Sequence, residues 1–272
     1  MIESSTFWLR VAAFLYAVGL LHTLLTVVRH GQSAFGLAMG AFRIAVVLHG
    51  VAIVDLAMAM GRIPVDSVYH TLSLCAFLIA AVFVVLERSY RFTGASVGVF
   101  PLVFAMTLGA AMEQGVTVPS DERLRSAWLV VHIVLVLAGF AALLFTAVAA
   151  FAYLVQEKRL KSKQPSALLE RLPPLATLDA LLTKALGLAF AFLTLGLVFG
   201  VMWGFIYAEP GWIGKPAIAI SLLTWGLLLV MMLLRASAGW RGRKAAVMAL
   251  VVLSCSALTW VMQAGFGASL VP

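Results

Sequence analysis

Charged residues are scarce in this 272-residue chain: they make up 11% of it, whereas hydrophobic residues make up 63% and the mean hydropathy is +1.07. A globule of this size could not bury so much apolar surface, which excludes a soluble enzyme or binding domain. Cysteine is also rare. Cys75 and Cys255 stand alone, without a C-x-x-C pair, so a thioredoxin-like redox role is excluded as well.

The common catalytic and nucleotide-binding motifs are missing from the sequence. It has no P-loop, no G-x-S-x-G and no H-E-x-x-H, and therefore offers no nucleotide or hydrolase chemistry to assign. Acidic residues number 11 against 19 basic ones, for a formal net charge of +8 and a pI near 9.9. A nucleic-acid binder would carry such charge on the face of a soluble module, so we expect no nucleic-acid partner.

Long apolar runs fill most of the chain instead. A helix needs about 20 apolar residues to cross about 30 Å of hydrocarbon. Eight such runs lie at about 7–28, 36–60, 68–87, 94–112, 126–155, 181–208, 216–235 and 244–267. The first lacks a basic leader and is followed directly by the second, which is not typical of a cleavable signal peptide. We predict an all-α, polytopic bundle of about eight transmembrane spans that forms a single integral membrane domain over residues 1–272. We expect the protein to lie in a bacterial inner membrane.

The basic residues predict the orientation, because Lys and Arg concentrate in cytoplasmic loops. With an outside N-terminus, the inner loops hold Arg29, Arg88, Arg91, Lys158, Arg159, Lys161, Lys163, Arg171, Lys184, Arg235, Arg241, Arg243 and Lys244. The outer side holds Arg10, Arg62, Arg123, Arg125 and Lys215. Both termini and the loop 209–215 should therefore be extracytoplasmic. The longest loop, about 156–180, should be cytoplasmic, as a solvated linker or a docking site for a partner.

Small and acidic residues within the runs predict how helices pack. Gly187, Gly196 and Gly200 lie in the sixth run, where glycines let helices approach closely. Asp55 is a buried carboxylate near the outer end of the second run. We expect it to pair with Arg43 or with a neighbouring helix.

Histidines are the strongest candidates for chemistry. His22 and His49 are predicted at membrane depth, His70 begins the third span, and His132 lies about four residues into the fifth. His30 falls in an inner loop and should be solvated. A buried histidine can hydrogen-bond a carbonyl across helices, or its neutral imidazole can bind haem iron. Several histidines in one small bundle make the second use a real alternative.

Four sequence patterns add information on the second half of the chain. Trp128, Leu129 and His132 form a W-L-x-x-H run. Further patterns contain Asp179, Lys184, Phe190, Phe192, Gly196, Gly200 and Trp203, then Pro216, Ser221, Thr224 and Trp225, then Arg235, Gly239, Trp240 and Gly242. Their order resembles the cytochrome c assembly family, which includes the CcsA and HemX-like membrane proteins. The resemblance covers about residues 40–245.

This resemblance implies a haem b site on the outer face. It makes His132 an axial ligand of the haem iron, with Trp128 and Trp212 beside the haem. The remaining candidate residues for cofactor binding are His22, His49 and His70. The tryptophan-rich loop motif of the family is kept here only at Trp212 and Pro216, and Leu233 stands where the family has a further histidine.

Three functions are consistent with the sequence. The first is a haem-binding or haem-handling protein of cytochrome c biogenesis, an accessory rather than a self-contained catalyst, with the membrane, haem and a biogenesis protein as partners. The eroded loop motif is similar to HemX-like members, which implies a regulator of glutamyl-tRNA reductase that acts through the 156–180 loop. The third is a cofactor-free transporter or structural subunit. Inverted-repeat transporters usually show internal symmetry, and none is visible here.

Overall fold

A computed structural model describes residues 2–29, 33–65, 67–90, 95–113, 127–162, 172–208 and 210–267. Within these ranges the chain is helical and has no strand. The α-helices are α1 Ile2–Arg29, α2 Ser33–Met60, α3 Val68–Tyr90, α4 Ser96–Ala110, α5 Ala127–Ser162, α6 Leu175–Tyr207, α7 Pro216–Ser237 and α8 Arg243–Gly267. A 3-10 turn covers Trp212–Gly214. The all-α prediction is confirmed, and every predicted apolar run has its helix.

Six helical segments among the described residues are long and apolar enough to cross a membrane. They are Glu3–Leu25, Gly36–Met60, Val68–Ser89, Ala127–Ser162, Leu175–Tyr207 and Ile218–Ser237. Helix α4 is apolar but has only 15 residues and contains Pro101. The figure of eight spans stays a prediction.

The segment predicted as a loop over about 156–180 is helical at both ends, which corrects that boundary. Helix α5 continues to Ser162 because its charged end forms its own contacts: Lys161 pairs with Glu157 one turn earlier, at 2.7 Å. Helix α6 begins directly after Pro174, a residue that suits a helix start. Residues 163–171, which hold the middle of the predicted linker or docking site, lie outside the described residues, as does His30.

Helices α1 to α4 belong to the first of two compact units. Its core is aromatic. Phe42 stacks on Phe100 with ring centroids 4.1 Å apart, Phe83 meets both rings edge-on, and Tyr16 contacts Phe42 at 5.0 Å. Such ring pairs add to the free energy gained from buried area, so this cluster fixes how the four helices pack. The single domain expected over 1–272 stays a prediction.

Asp55 also bridges helices of the first unit. Its carboxylate accepts a hydrogen bond from Ser4 Oγ in α1 at 2.5 Å. Arg43 instead pairs with Glu87 of α3 at 2.7 Å. The expected partner on a neighbouring helix is confirmed, and the alternative pairing with Arg43 is wrong.

Helices α5 to α8 belong to the second unit, where glycines bring α5 and α6 close together. A Cβ atom on Gly139 would lie 2.6 Å from Leu193 Cγ, and one on Gly196 would lie 2.8 Å from Val136 Cγ2. Only residues without a side chain allow this approach. The packing role predicted for Gly196 is confirmed, but that for Gly187 is wrong, because a Cβ there would meet nothing within 4 Å.

Candidate functional site

His132 lies near the start of α5 and faces the backbone of α6. Its Nδ1 is 2.7 Å from the carbonyl oxygen of Gly196. A carbonyl can only accept, so Nδ1 carries the proton and Nε2 keeps its lone pair. No other hydrogen bond of this half-buried ring is found in the described part of the chain. The contact with α6 therefore selects the tautomer in which Nε2 can coordinate a metal.

Gly200 explains how the imidazole reaches α6. A Cβ on Gly200 would lie only 2.6 Å from both Cε1 and Nδ1 of His132. Any side chain at this position would displace the ring from the Gly196 carbonyl. The two glycines that sequence analysis assigned to helix packing thus also position a histidine.

Trp212 lies on the same side of α6 one turn further along. A Cβ on Gly204 would be 2.7 Å from the Cη2 and Cζ2 atoms of this indole. The ring also meets Phe205 edge-on at 5.6 Å. Gly196, Gly200 and Gly204 recur at four-residue steps, so they form one face of the helix. Sequence analysis missed Gly204, although the continuation of the four-residue glycine spacing could have revealed it.

Other aromatic residues lie on the same two helices. Trp128, one turn before His132, contacts Phe199 of α6 at 5.3 Å and is 39% exposed. Trp203 lies 6.1 Å from Tyr207, ring to ring. Its indole Nε1–H is buried without a hydrogen-bond acceptor among the described residues. This end of the second unit therefore offers flat apolar surfaces, one imidazole lone pair and one unused N–H donor.

His49 lies in the first unit and is fully buried. Its Nε2 is 2.9 Å from Ser73 Oγ and its Nδ1 is 3.4 Å from the Tyr16 hydroxyl. Both ring nitrogens thus have polar partners, as expected for a buried histidine that connects helices. This arrangement favours the structural alternative over ligation for His49.

His22 and His70 also belong to the first unit. His22 Nδ1 lies 2.9 Å from the Val18 carbonyl one turn earlier in α1. His70 begins α3, as predicted, and its backbone N–H donates to Ser67 Oγ at 3.0 Å. Its Nε2 lies 3.2 Å from a carboxylate oxygen of Glu113, within ion-pair range. The predicted site residues are therefore divided: Trp128, His132 and Trp212 in one unit, and the other three histidines in the other.

A polar network occupies the opposite end of α6 from Trp212. Asp179 accepts from both terminal nitrogens of Arg235, at 3.4 and 3.2 Å, and from the backbone N–H of Gly242 at 3.1 Å. Arg235 also donates to Thr183. Gly242 adopts a positive φ of 60° beside the Tyr153 hydroxyl, where a Cβ would be 2.6 Å away. The network ties α6, the end of α7 and the loop before α8 together.

A bare metal ion has no obvious place among the residues that the structure describes. No three His, Cys, Asp or Glu side chains within the described ranges lie close enough to hold one. A metal held in a macrocycle, such as haem iron, needs only one or two axial ligands from the protein. A single imidazole can be the first of these ligands. The arrangement around His132 meets this lower requirement.

Comparison with known proteins agrees with the sequence patterns. The profile of a family described as cytochrome C assembly protein matches residues 38–263, which is most of the chain. A protein named cytochrome c biogenesis protein CcsA from Microcystis aeruginosa is 24% identical, over 79% of this chain and 82% of its own length. The protein of that name from Chlorella vulgaris is 28% identical, over 72% of this chain and 73% of its own length. These relatives do not support a HemX-like assignment.

Proposed function

This chain belongs to the cytochrome c assembly protein family and takes part in cytochrome c biogenesis as a multi-pass membrane protein, and we propose that it does so by binding haem b through His132. The observation that supports this best is the hydrogen bond from His132 Nδ1 to Gly196. It holds the ring against α6 with the Nε2 lone pair available. Neutral imidazole in this state is the common axial ligand of haem iron.

The residues around His132 suit a flat amphipathic ligand. Trp128 and Trp212 offer aromatic surface for a porphyrin, and Trp203 offers a buried N–H to a polar edge group. When bound, haem would supply the iron that His132 coordinates and the porphyrin that apocytochrome thiols attack. The protein itself would bind and orient it, which makes the chain an accessory rather than a self-contained catalyst.

The proposed site requires His132 on the extracytoplasmic side. His132 is near the start of α5 and Trp212 follows the end of α6. Both residues therefore lie at the opposite end of these neighbouring helices from Ser162 and Leu175, which belong to the 156–180 segment. The basic residues favour a cytoplasmic location for that segment. We therefore propose eight spans with both termini outside, in the inner membrane of a bacterium.

A reporter fusion tests this orientation. A topology reporter joined after Ser162 should report a cytoplasmic location, and one inserted at Gly214 should report an extracytoplasmic location. These positions flank α6, so they must differ if α6 crosses once. The reverse pattern would place His132 on the cytoplasmic side and contradict the proposal.

A haem titration of the purified protein tests the ligand. We expect a Soret band for the wild type and an affinity at least about 100-fold lower for His132→Ala, since loss of a group that only orients a metal ligand already costs roughly 10–100-fold. Added imidazole should restore part of the band by occupying the vacated position.

His30→Ala is the control for this titration, because that residue is predicted to be solvated in an inner loop. Its spectrum should equal that of the wild type. If the wild type shows no Soret band with haem in excess, or His132→Ala leaves the band unchanged, haem binding at His132 is wrong.

A further inference from the structure

The first unit contains a cavity of about 440 Å³ at one end of its four helices. Aliphatic side chains of α2 and α3 form much of its wall. Five titratable side chains also line it: Glu3 and Arg10 of α1, Tyr69 and His70 of α3, and Glu113 just after α4. A cavity of this size with a few converging polar groups on apolar walls is typical of a small-molecule site.

Glu3 and Arg10 are the charges that lack partners. Neither forms a hydrogen bond or an ion pair with any residue that the structure describes. They are seven residues apart on one face of α1, which places them about 10 Å apart along the helix, too far to pair with each other. Both lie in the candidate span Glu3–Leu25. Both side chains are exposed and line the cavity, so a ligand there can reach them and bring a group of opposite charge to each.

Glu113, in contrast, already has its contacts. One oxygen accepts from Ser67 Oγ at 2.9 Å and the other lies 3.2 Å from His70 Nε2. The His70 side chain is 5% exposed, and neither of its ring nitrogens has a hydrogen bond of good geometry within the described ranges. His70 and Glu113 therefore form a fixed polar part of the cavity wall, and Glu3 and Arg10 remain as the accessible charges.

An apolar groove of about 380 Å³ continues from the cavity. Its walls are Ala13, Phe14, Phe104 and Leu108 of α1 and α4. Arg10 and Ala111 line both the cavity and the groove, so the guanidinium marks the point where polar and apolar surroundings meet. A charged cavity followed by an apolar groove suits an amphiphile whose polar head group lies in the cavity and whose hydrocarbon tail lies in the groove.

We propose that the cavity and groove together bind one zwitterionic phospholipid of the phosphatidylethanolamine type. The phosphate pairs with Arg10, the ammonium group meets Glu3, and an acyl chain fills the groove. A free anion would leave Glu3 and the groove without a partner. A metal ion lacks three suitable side chains in the described part of the chain. The inference does not depend on haem binding, which concerns the second unit.

Lipid retention by the full-length protein tests the proposal. The protein is equilibrated with equal amounts of phosphatidylethanolamine, phosphatidylcholine and phosphatidylglycerol in detergent, and bound lipid is measured by native mass spectrometry. We expect one retained phosphatidylethanolamine. Arg10→Gln should weaken its retention roughly tenfold, as for loss of one hydrogen bond to a charged group. Arg88→Gln is the control, since that arginine is exposed in the last turn of α3.

Two further variants separate this proposal from its alternatives. Glu3→Gln should remove the preference over phosphatidylglycerol, because the ammonium group of phosphatidylethanolamine then has no carboxylate partner while the phosphate keeps Arg10. Leu108→Trp should block the groove, whereas Val85→Trp, outside the groove and 62% exposed, should not. Circular dichroism identifies variants that fail to fold. Preferred retention of phosphatidylglycerol, equal behaviour of Arg10→Gln and Arg88→Gln, or binding of haem alone in this cavity would each overturn the proposal.

Discussion

A Gly200→Ala variant is expected to lose much of its haem affinity, although it leaves every candidate ligand in place. The added methyl group would lie 2.6 Å from Cε1 and Nδ1 of His132, well inside contact distance. The ring can relieve this overlap only by moving away from α6, which breaks its 2.7 Å hydrogen bond to Gly196. We expect a loss on the order of 10–100-fold, as for other groups that orient a metal-binding histidine.

Two other glycines provide controls for this measurement. Gly187→Ala meets nothing within 4 Å, so it should bind haem normally and gain up to about 1 kcal/mol of helix stability. Gly139→Ala would clash with Leu193 instead, at 2.6 Å, and should lower stability without disturbing His132 directly. If Gly200→Ala binds haem as well as Gly187→Ala does, the glycine face of α6 does not position the ligand.

The helices were predictable because apolar runs of about 20 residues have few alternatives to a helix. The end of α5 was not. Hydropathy falls after Val155, but the helix continues for seven residues through the Glu157–Lys161 pair. Hydropathy reports where a chain leaves an apolar environment, whereas a helix ends where its backbone hydrogen bonds end.

The site was predictable in part. The W-L-x-x-H pattern indicated His132, and the four-residue glycine spacing indicated a close approach along α6. Their contact was not predictable, since the ring and the Gly196 carbonyl are 64 residues apart in sequence. A glycine pattern shows that something can come close, but it does not show which side chain does.

Charge pairing between helices was the least predictable feature. Arg43 and Asp55 both fall in α2, yet Arg43 pairs with Glu87 of α3 and Asp55 with Ser4 of α1. Sequence gives the depth of a residue along a helix. The rotation of each helix about its axis decides its partner, and α2 has apolar residues all round, which leaves that rotation undetermined.

The network at the other end of the second unit leads to the largest expected change in stability. Asp179→Ala should lower the free energy of unfolding by about 3–5 kcal/mol, because it leaves the guanidinium of Arg235 buried without a counter-charge. That side chain is 8% exposed and the Asp179 side chain 21%. The Gly242 amide would lose its acceptor in the same variant. Unfolding by a denaturing detergent, followed by circular dichroism, measures the loss.

An exposed pair gives the scale for comparison. Glu157→Ala removes a contact with Lys161, whose side chain is 67% exposed, and such pairs contribute about 0.3–0.5 kcal/mol.

The double variant Asp179→Ala with Arg235→Leu should recover part of the stability lost in Asp179→Ala alone, since no charge remains buried and a hydrophobic side chain fills the space. It should not recover all of it, because the Gly242 N–H still lacks an acceptor, at a cost of about 1–3 kcal/mol. Equal losses for Asp179→Ala and Glu157→Ala would mean that the Asp179–Arg235 pair is solvated like a surface contact and does not hold the two helix ends together.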